Sequence, residues 1–339
     1  MAVSPAAAPA IVAVLATVRR EGGRESRPAP DRRVRTGLLL AASTLVACAG
    51  PVSSPAPPLP SRGPTRPLVV ALDTDRVTAA RQVAARARAA EVVYLGELHD
   101  NPAAHEAQVA IVGAMVAEGA RPALAFEMLP VGDQAELTAA VRSDDGAAAV
   151  DRRLRWSARG WPDFQMYWPL FEQARRAGLP VVATDLDPVL TRRVSRQGLR
   201  GAGDAAARLA SALPDDADRD RAIGRRIQAA HCNLLPEARI PAMVDSWYAR
   251  NVTIARRLAD ALRESAQVAV IIGRGHQSAG GVPAQLAVIR PGTRQFIVGF
   301  VEDDPVDTDV TRLDTTDVLW RIPALPREDP CQGFMRRLG

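Results

Sequence analysis

The chain has 339 residues, 47% of them hydrophobic, and a formal net charge of +5. That length accommodates one large α/β domain or two small ones with a sizeable core. Residues 1–47 hold seven arginines against Glu21, Glu25 and Asp31, which leaves the remainder nearly neutral, with no basic stripe to track a phosphate backbone and so no nucleic-acid partner.

The first element is an export signal. In "RRVRTGLLLAASTLVAC", Arg32, Arg33 and Arg35 precede a short apolar stretch and then Leu45-Val46-Ala47-Cys48. The stretch is too short to span a bilayer but suits a signal peptide. Leu-Val-Ala-Cys resembles a bacterial lipobox, which implies cleavage before Cys48 and lipid on its sulfur. Residues 1–47 are therefore read as the signal, with Val34 an alternative start. Residues 48–67 follow as a lipidated cysteine and a Pro/Ser-rich linker. Ala49, where an aspartate would signal retention, points to the outer membrane, facing the periplasm or the surface. In such a compartment Cys232 and Cys331 are free to pair, although their separation leaves the pairing open.

From 68 to 301 short apolar runs alternate with helical stretches. The runs are "EVVYLGE" (91–97), "PALAFE" (122–127), "PVVATD" (180–185), "QVAVIIG" (267–273) and "QFIVGF" (295–300). The first four are continuous, as strands buried on both faces should be. Pro102 opens a helix that Gly119 ends, Gln134–Val141 is a second, and Trp161–Ala177 reads as a third, closed by Gly178. About 188–264 lacks any strand-like run and reads as an all-helical insertion. Residues 302–339 read as an irregular tail. The expected fold is α/β: a mostly parallel sheet with helices on both faces and an all-helical insertion.

Chemistry gathers where the strands end. The first run ends in Glu97 and His99, the second in Glu127, the third in Asp185, and the fourth in Arg274 and His276. In an open parallel sheet, ligands bind beyond the carboxyl ends of the strands. His105 falls in the first turn of the next helix, with Gln108 on the same helical face. Carboxylates with imidazoles can ligate a divalent metal or do acid–base work. Nucleophile-elbow, P-loop, HExxH and Rossmann glycine patterns are absent. A second concentration is aromatic: Trp156, Trp161, Phe164, Tyr167, Trp168 and Phe171 crowd into a chain that is 4% aromatic overall. Trp161, Phe164, Trp168 and Phe171 recur near helical spacing. That stripe is either a helix docked on the sheet or, with Trp161 and Trp168, a flat wall for a planar ligand. The Tyr167 hydroxyl would then be an oxygen ligand, since tyrosinate can hold haem iron.

With these blocks in hand, the sequence resembles the ChaN-like haem-binding lipoproteins, which share a superfamily with Tiki proteases, TraB proteins and EreA-like esterases. The resemblance runs over most of 90–290. It is carried by "LGELHDNPAAHEAQ" (95–108), "ALAFEMLPVGDQAEL" (123–137), "WPDFQMYWPLFEQARRAGLPVVATD" (161–185), His231 with "ARNVTIARRLA" (249–259), and "IIGRGHQSAGGVP" (271–283). Ala104-His105 stands where the family often has paired histidines, and Asn251 where it usually has Asp. The resemblance implies an α/β fold, haem or iron acquisition at the envelope, and haem held between two subunits of a homodimer. It also implies Tyr167 as axial ligand with His99, His105 or His276 in support, so that Tyr167, His99 and His276 are the candidate iron ligands. The alternative is a metal-dependent or acid–base hydrolase. There a carboxylate of the Glu97, His99, Glu127 and His276 edge activates water, a histidine holds a divalent metal or shuttles protons, and Arg274 stabilises negative charge.

Overall fold

The computed structural model describes residues 67–303, 316–329 and 331–332. The expected signal, Cys48 and the linker up to residue 66 lie outside the described residues. Seven strands are described: β1 (Leu68–Val70), β2 (Val92–Glu97), β3 (Ala123–Pro130), β4 (Val181–Asp185), β5 (Val268–Gly273), β6 (Gln295–Glu302) and β7 (Val318–Ile322). All pair in parallel, in the order β1-β7-β6-β2-β5-β3-β4. The central strands are apolar runs because both their faces are covered by helices.

Alternation along each strand divides the core in two. Val93, Leu95, Leu124, Phe126 and Ile271 face the layer of α1 (Arg76–Ala87), α2 (Pro102–Ala117), α3 (Gln134–Arg142), α4 (Ala147–Leu154) and α5 (Trp168–Ala177). Val92, Tyr94, Ala123, Ala125, Val270 and Ile272 face the opposite layer. The segment expected as a helical insertion supplies part of that second layer. It holds α6 (Pro188–Gly201), α7 (Asp204–Ala207), α8 (Ala217–Ala230) and α9 (Ile240–Ala261), with α10 (Val282–Ile289) following β5. Ile254, Ala255 and Leu258 of α9 and Leu286 of α10 pack on the sheet. No described helix is long and apolar enough to cross a membrane.

Three expectations need correction. Trp161–Ala177 is not one helix: Phe164–Met166 is a short 3₁₀ turn and α5 begins only at Trp168. The Asp163 carboxylate takes the Gln165 N–H, which favours a turn, and Pro169 lies in the first turn of α5, where a missing N–H costs nothing. The tail is not wholly irregular, because β7 lies within it, between β1 and β6. And β4, read as interior, is an edge strand. Cys232, just past α8, is joined to Cys331 by a disulfide, which ties the C-terminal segment to the second layer. That segment also grips the start of α2: Arg327 makes two bonds to Asp100 (2.6 and 2.8 Å) and one to Glu302 (2.6 Å).

Candidate functional site

Where β2, β5 and β3 end side by side, strand parity sends their polar groups to opposite faces of the sheet. Glu97 continues the Val93 and Leu95 row, so it faces α2 and α5. Glu127 continues the Ala123 and Ala125 row, so it faces α9. The β3–β4 register shifts between Phe126 and Pro130, an irregularity of the kind found beside functional sites.

Glu97 is buried and saturated with donors. Tyr167 Oη donates to its Oε1 at 2.7 Å, and Gln108 Nε2 donates to its Oε2 at 2.7 Å and to the Leu95 carbonyl. His99 Nδ1 lies 2.8 Å from Oε1 and His105 Nδ1 3.3 Å from Oε2. Burial opposes ionisation, yet the charge of His105, the bond from His99 and the Tyr167 hydroxyl outweigh it and hold the carboxyl below its ordinary range. His105 is used up inside the protein: its Nε2 faces the His99 carbonyl at 3.0 Å, and its Nδ1 faces Gln108 Oε1 and Glu97.

Glu127 is the equivalent on the other face. Its Oε2 accepts the Gly273 N–H at 2.6 Å, and its Oε1 meets Arg250 Nη2 at 2.9 Å and His276 Nε2 at 3.1 Å. Arg250, from α9, also forks onto both oxygens of Asp185 at 2.8 and 2.9 Å. Burial again opposes ionisation, but His276 and then Arg250 hold the Glu127 carboxyl well below its usual value. Burial alone would depress Arg250, and Asp185 and Glu127 reverse that and raise it. His276 Nδ1 meets Asn251 Oδ1 at 3.1 Å, and the Asn251 amide donates to the Trp247 carbonyl, so asparagine serves this network where the resembled family usually has aspartate.

His99 lies between the two clusters. Its Nδ1 is bound to Glu97, while an atom added at the Gly273 Cβ position would lie 2.7 Å from its Nε2 and 3.3 Å from Glu127 Oε2. Nε2 has no hydrogen-bond partner among the described residues, and the side chain is 33% exposed. Burial lowers the His99 pKa, but the bond to Glu97 and the charge of Glu127 prevail and raise it. Trp161, half-buried, meets the imidazole edge-on with ring centroids 5.1 Å apart.

The structure therefore brings Glu97, His99, His105 and Tyr167 together, and joins Glu127, His276 and Asp185 through Arg250. It does not bring Arg274 to either carboxylate: Arg274 lines a cavity with Trp247, Arg226 and His231. Tyr167 is fully buried, its hydroxyl is spent on Glu97, and burial followed by that carboxylate pushes its pKa far up. It stands as a buried donor, not as an exposed phenolate. Trp156, Phe164 and Phe171 are core, and only Trp161 and Trp168 keep partial exposure. Arg250 was missed by the sequence reading. Arg257, two helical turns on, bonds the Ala183 carbonyl and Gln134, so both arginines face β4, a placement that shows only once α9 is laid against that strand. Among the described residues, no three His, Cys, Asp or Glu side chains come together as a cation site, so the divalent-metal alternative finds no support.

A solved structure described as cofacial heme binding to ChaN of Campylobacter jejuni is 18% identical, covers 66% of this chain and 86% of its own, and superposes with a TM-score of 0.55. The type III effector HopBA1 is 15% identical, covers 75% of this chain and 96% of its own, and gives 0.43. An erythromycin esterase mutant, EreC, in its open conformation is 14% identical, covers 63% of this chain and 70% of its own, and gives 0.37. No curated protein matches in sequence. The family model for haem-binding uptake, Tiki superfamily, ChaN matches residues 83–286, a span that opens in α1, closes in α10 and contains both buried carboxylate clusters. On that match the chain belongs to the ChaN haem-binding family of the Tiki superfamily.

Proposed function

We propose that this chain binds haem at the carboxyl end of β2 and serves haem or iron uptake at the bacterial envelope, with His99 as the nitrogen offered to iron. The observation that carries the reading is the state of His99. Of the histidines at the sheet edge, His105 and His276 use both ring nitrogens internally, whereas His99 fixes Nδ1 on Glu97 and keeps Nε2 without a partner among the described residues. A carboxylate on the second nitrogen orients a metal-binding imidazole and makes it more basic. The half-buried indoles of Trp161 and Trp168 supply apolar surface nearby. Bound haem would supply an iron to which His99 would offer its imidazole nitrogen.

In this reading Tyr167 positions Glu97, which in turn positions His99. Lipid on Cys48 would hold the chain at the outer membrane, facing the periplasm or the surface. Two copies would share the haem, in line with the cofacial binding in the name of the similar Campylobacter structure. Haemin titrated into the purified protein should give a saturable Soret band, weakened at least tenfold in His99→Ala and unshifted in Tyr167→Phe. Size measurement at saturation tests the pairing of copies. A flat haemin titration of the folded protein would refute the proposal.

A further inference from the structure

After β7 the chain reads "PALPRED" (323–329) and forms no helix or strand. Pro323 and Pro326 carry no N–H, so the segment leaves the sheet in place of extending β7. Fixed points then mark its path over the carboxyl ends of the strands. It starts where Ile322 of β7 lies beside Glu302 of β6. The Pro323 carbonyl accepts from Asn101 Nδ2 at 2.9 Å, just past β2. The Arg327 guanidinium forks onto Asp100 at 2.6 and 2.8 Å and reaches Glu302 at 2.6 Å. Cys331 is bonded to Cys232, just past α8. The segment thus crosses from β7 past the ends of β6 and β2 to the second helical layer.

What it grips is the turn that carries His99. The Asn101 N–H donates to the Leu98 carbonyl at 3.1 Å and closes that turn, while Asn101 Oδ1 accepts the Ala103 N–H and caps α2. Asp100, the neighbour of His99, is half-exposed, and an ion pair so open to water is weak by itself. The disulfide makes up for this weakness. With Cys331 fixed, Arg327 stays within reach of Asp100, and that local concentration falls once one end of the segment is free. Both cysteines are partly exposed. Cys232 also adopts φ 59°, a left-handed backbone that is unfavourable for cysteine and that the bond helps to hold.

We infer that residues 323–329, anchored by Cys331, form a strap that positions His99 through Arg327 and Asp100, and that thiol–disulfide exchange at Cys232–Cys331 releases it. The reductant is a dithiol. Its thiolate attacks one sulfur, the Cys232–Cys331 bond breaks through a mixed disulfide, and the donor closes to its own disulfide. Two electrons and two protons pass to the protein, leaving two cysteine thiols. Arg327 is a positioning residue: it acts on the turn and not on a ligand. A turn held in one arrangement presents His99 ready for iron, whereas a loosened turn must first be ordered. The consequence for iron rests on the haem reading; the strap itself does not.

The test is hydrogen exchange, read by mass spectrometry, on the purified parent and Arg327→Gln, each oxidised and reduced with dithiothreitol. Circular dichroism confirms folding. Peptides covering 98–105 should exchange about tenfold faster in the reduced parent and in oxidised Arg327→Gln than in the oxidised parent. Over the same minutes α3, which bonds the far edge strand β4, should be unchanged. Reduction should accelerate Arg327→Gln by less than about threefold, because the disulfide acts through Arg327. The inference is overturned if either perturbation leaves 98–105 as protected as in the parent, or if α3 loosens alongside, which would mark a general loss of stability. It is also overturned if reduction accelerates the variant as much as the parent. Haemin should leave Cys232→Ser/Cys331→Ser several-fold faster than it leaves the parent, and unchanged release beside a loosened turn would overturn the link to His99. Absence of haemin binding in every sample would sink the haem proposal, with the strap still decided by exchange.

Discussion

Gly273→Ala isolates the junction between the two carboxylate clusters. Gly273 has φ −63° and ψ 135°, which alanine adopts freely, so any effect is one of space and not of backbone strain. The new methyl would sit 2.7 Å from His99 Nε2 and 3.0 Å from its Cε1, where contacts settle nearer 3.5–4.0 Å, so one partner must retreat by roughly 1 Å. Glu127 cannot, being held by the Gly273 N–H, Arg250 and His276. His99 is the outer, partly exposed group, and swinging it away breaks the 2.8 Å bond from Nδ1 to Glu97. A charge-assisted bond of this kind is worth about 1.5–3 kcal/mol when buried, and solvent access reduces that to about 1–2 kcal/mol. The His99 pKa is raised in the folded protein, so its stabilising contribution is complete below the unfolded value near 6.5 and fades as pH rises through the folded value. Urea denaturation should therefore show the larger deficit at about pH 5.5 and a smaller one at about pH 8.5. Imidazole resonances should place the variant's His99 pKa closer to its ordinary value, and haemin should bind at least tenfold more weakly. A variant with parental stability at the lower pH and parental haemin affinity would refute the reasoning.

Other consequences are open to simpler measurements. Haemin affinity should increase as pH climbs through the raised His99 pKa, because proton and iron compete for Nε2; a pH-independent affinity would remove His99 as the ligand. Arg250→Met leaves Asp185 and the buried Glu127 without their shared cation and should cost about 3 kcal/mol in chemical denaturation, the low end for a broken buried pair because Arg250 is partly exposed. Glu127→Gln should lessen the protein's loss of stability in acid, since a carboxyl with a depressed pKa contributes above its unfolded value and ceases to contribute as pH falls through the folded one. Reducing the Cys232–Cys331 bond, which closes a long stretch of chain, should lower stability by about 2–5 kcal/mol, readable as a lower melting temperature.

Five strands could be read from the sequence, four of them because burial on both faces makes them continuous apolar runs. β1 is only Leu68–Val70 and β7 carries the exposed Arg321, so neither stands out from its surroundings. The aromatic stretch misled because period alone was weighed, although Pro162, Asp163 and Pro169 already argued for a turn before α5. At the site, strand ends announced Glu97, His99, Glu127 and His276, since a polar residue closing an apolar run must sit at the sheet's edge. Which face each carboxylate takes follows from strand parity, but only once the strands are laid side by side. Arg250 was hidden for a different reason: a position on a helix does not say which strand the helix crosses.

The strand order sets a timetable for synthesis. Val92, at the start of the central strand, pairs with Val268 on one side and Gln295 on the other, so β2 gains neither neighbour until most of the chain has been made. Leu68 waits longer still, for Val318. Non-local pairing of this kind slows folding and leaves strand edges open in the interim. A chain halted before β5 would display a bare β2 beside an isolated β3–β4 pair, an aggregation hazard with neither carboxylate cluster assembled. The fold cannot close, and the site cannot form, until its last strands arrive, a delay that would suit the export proposed above.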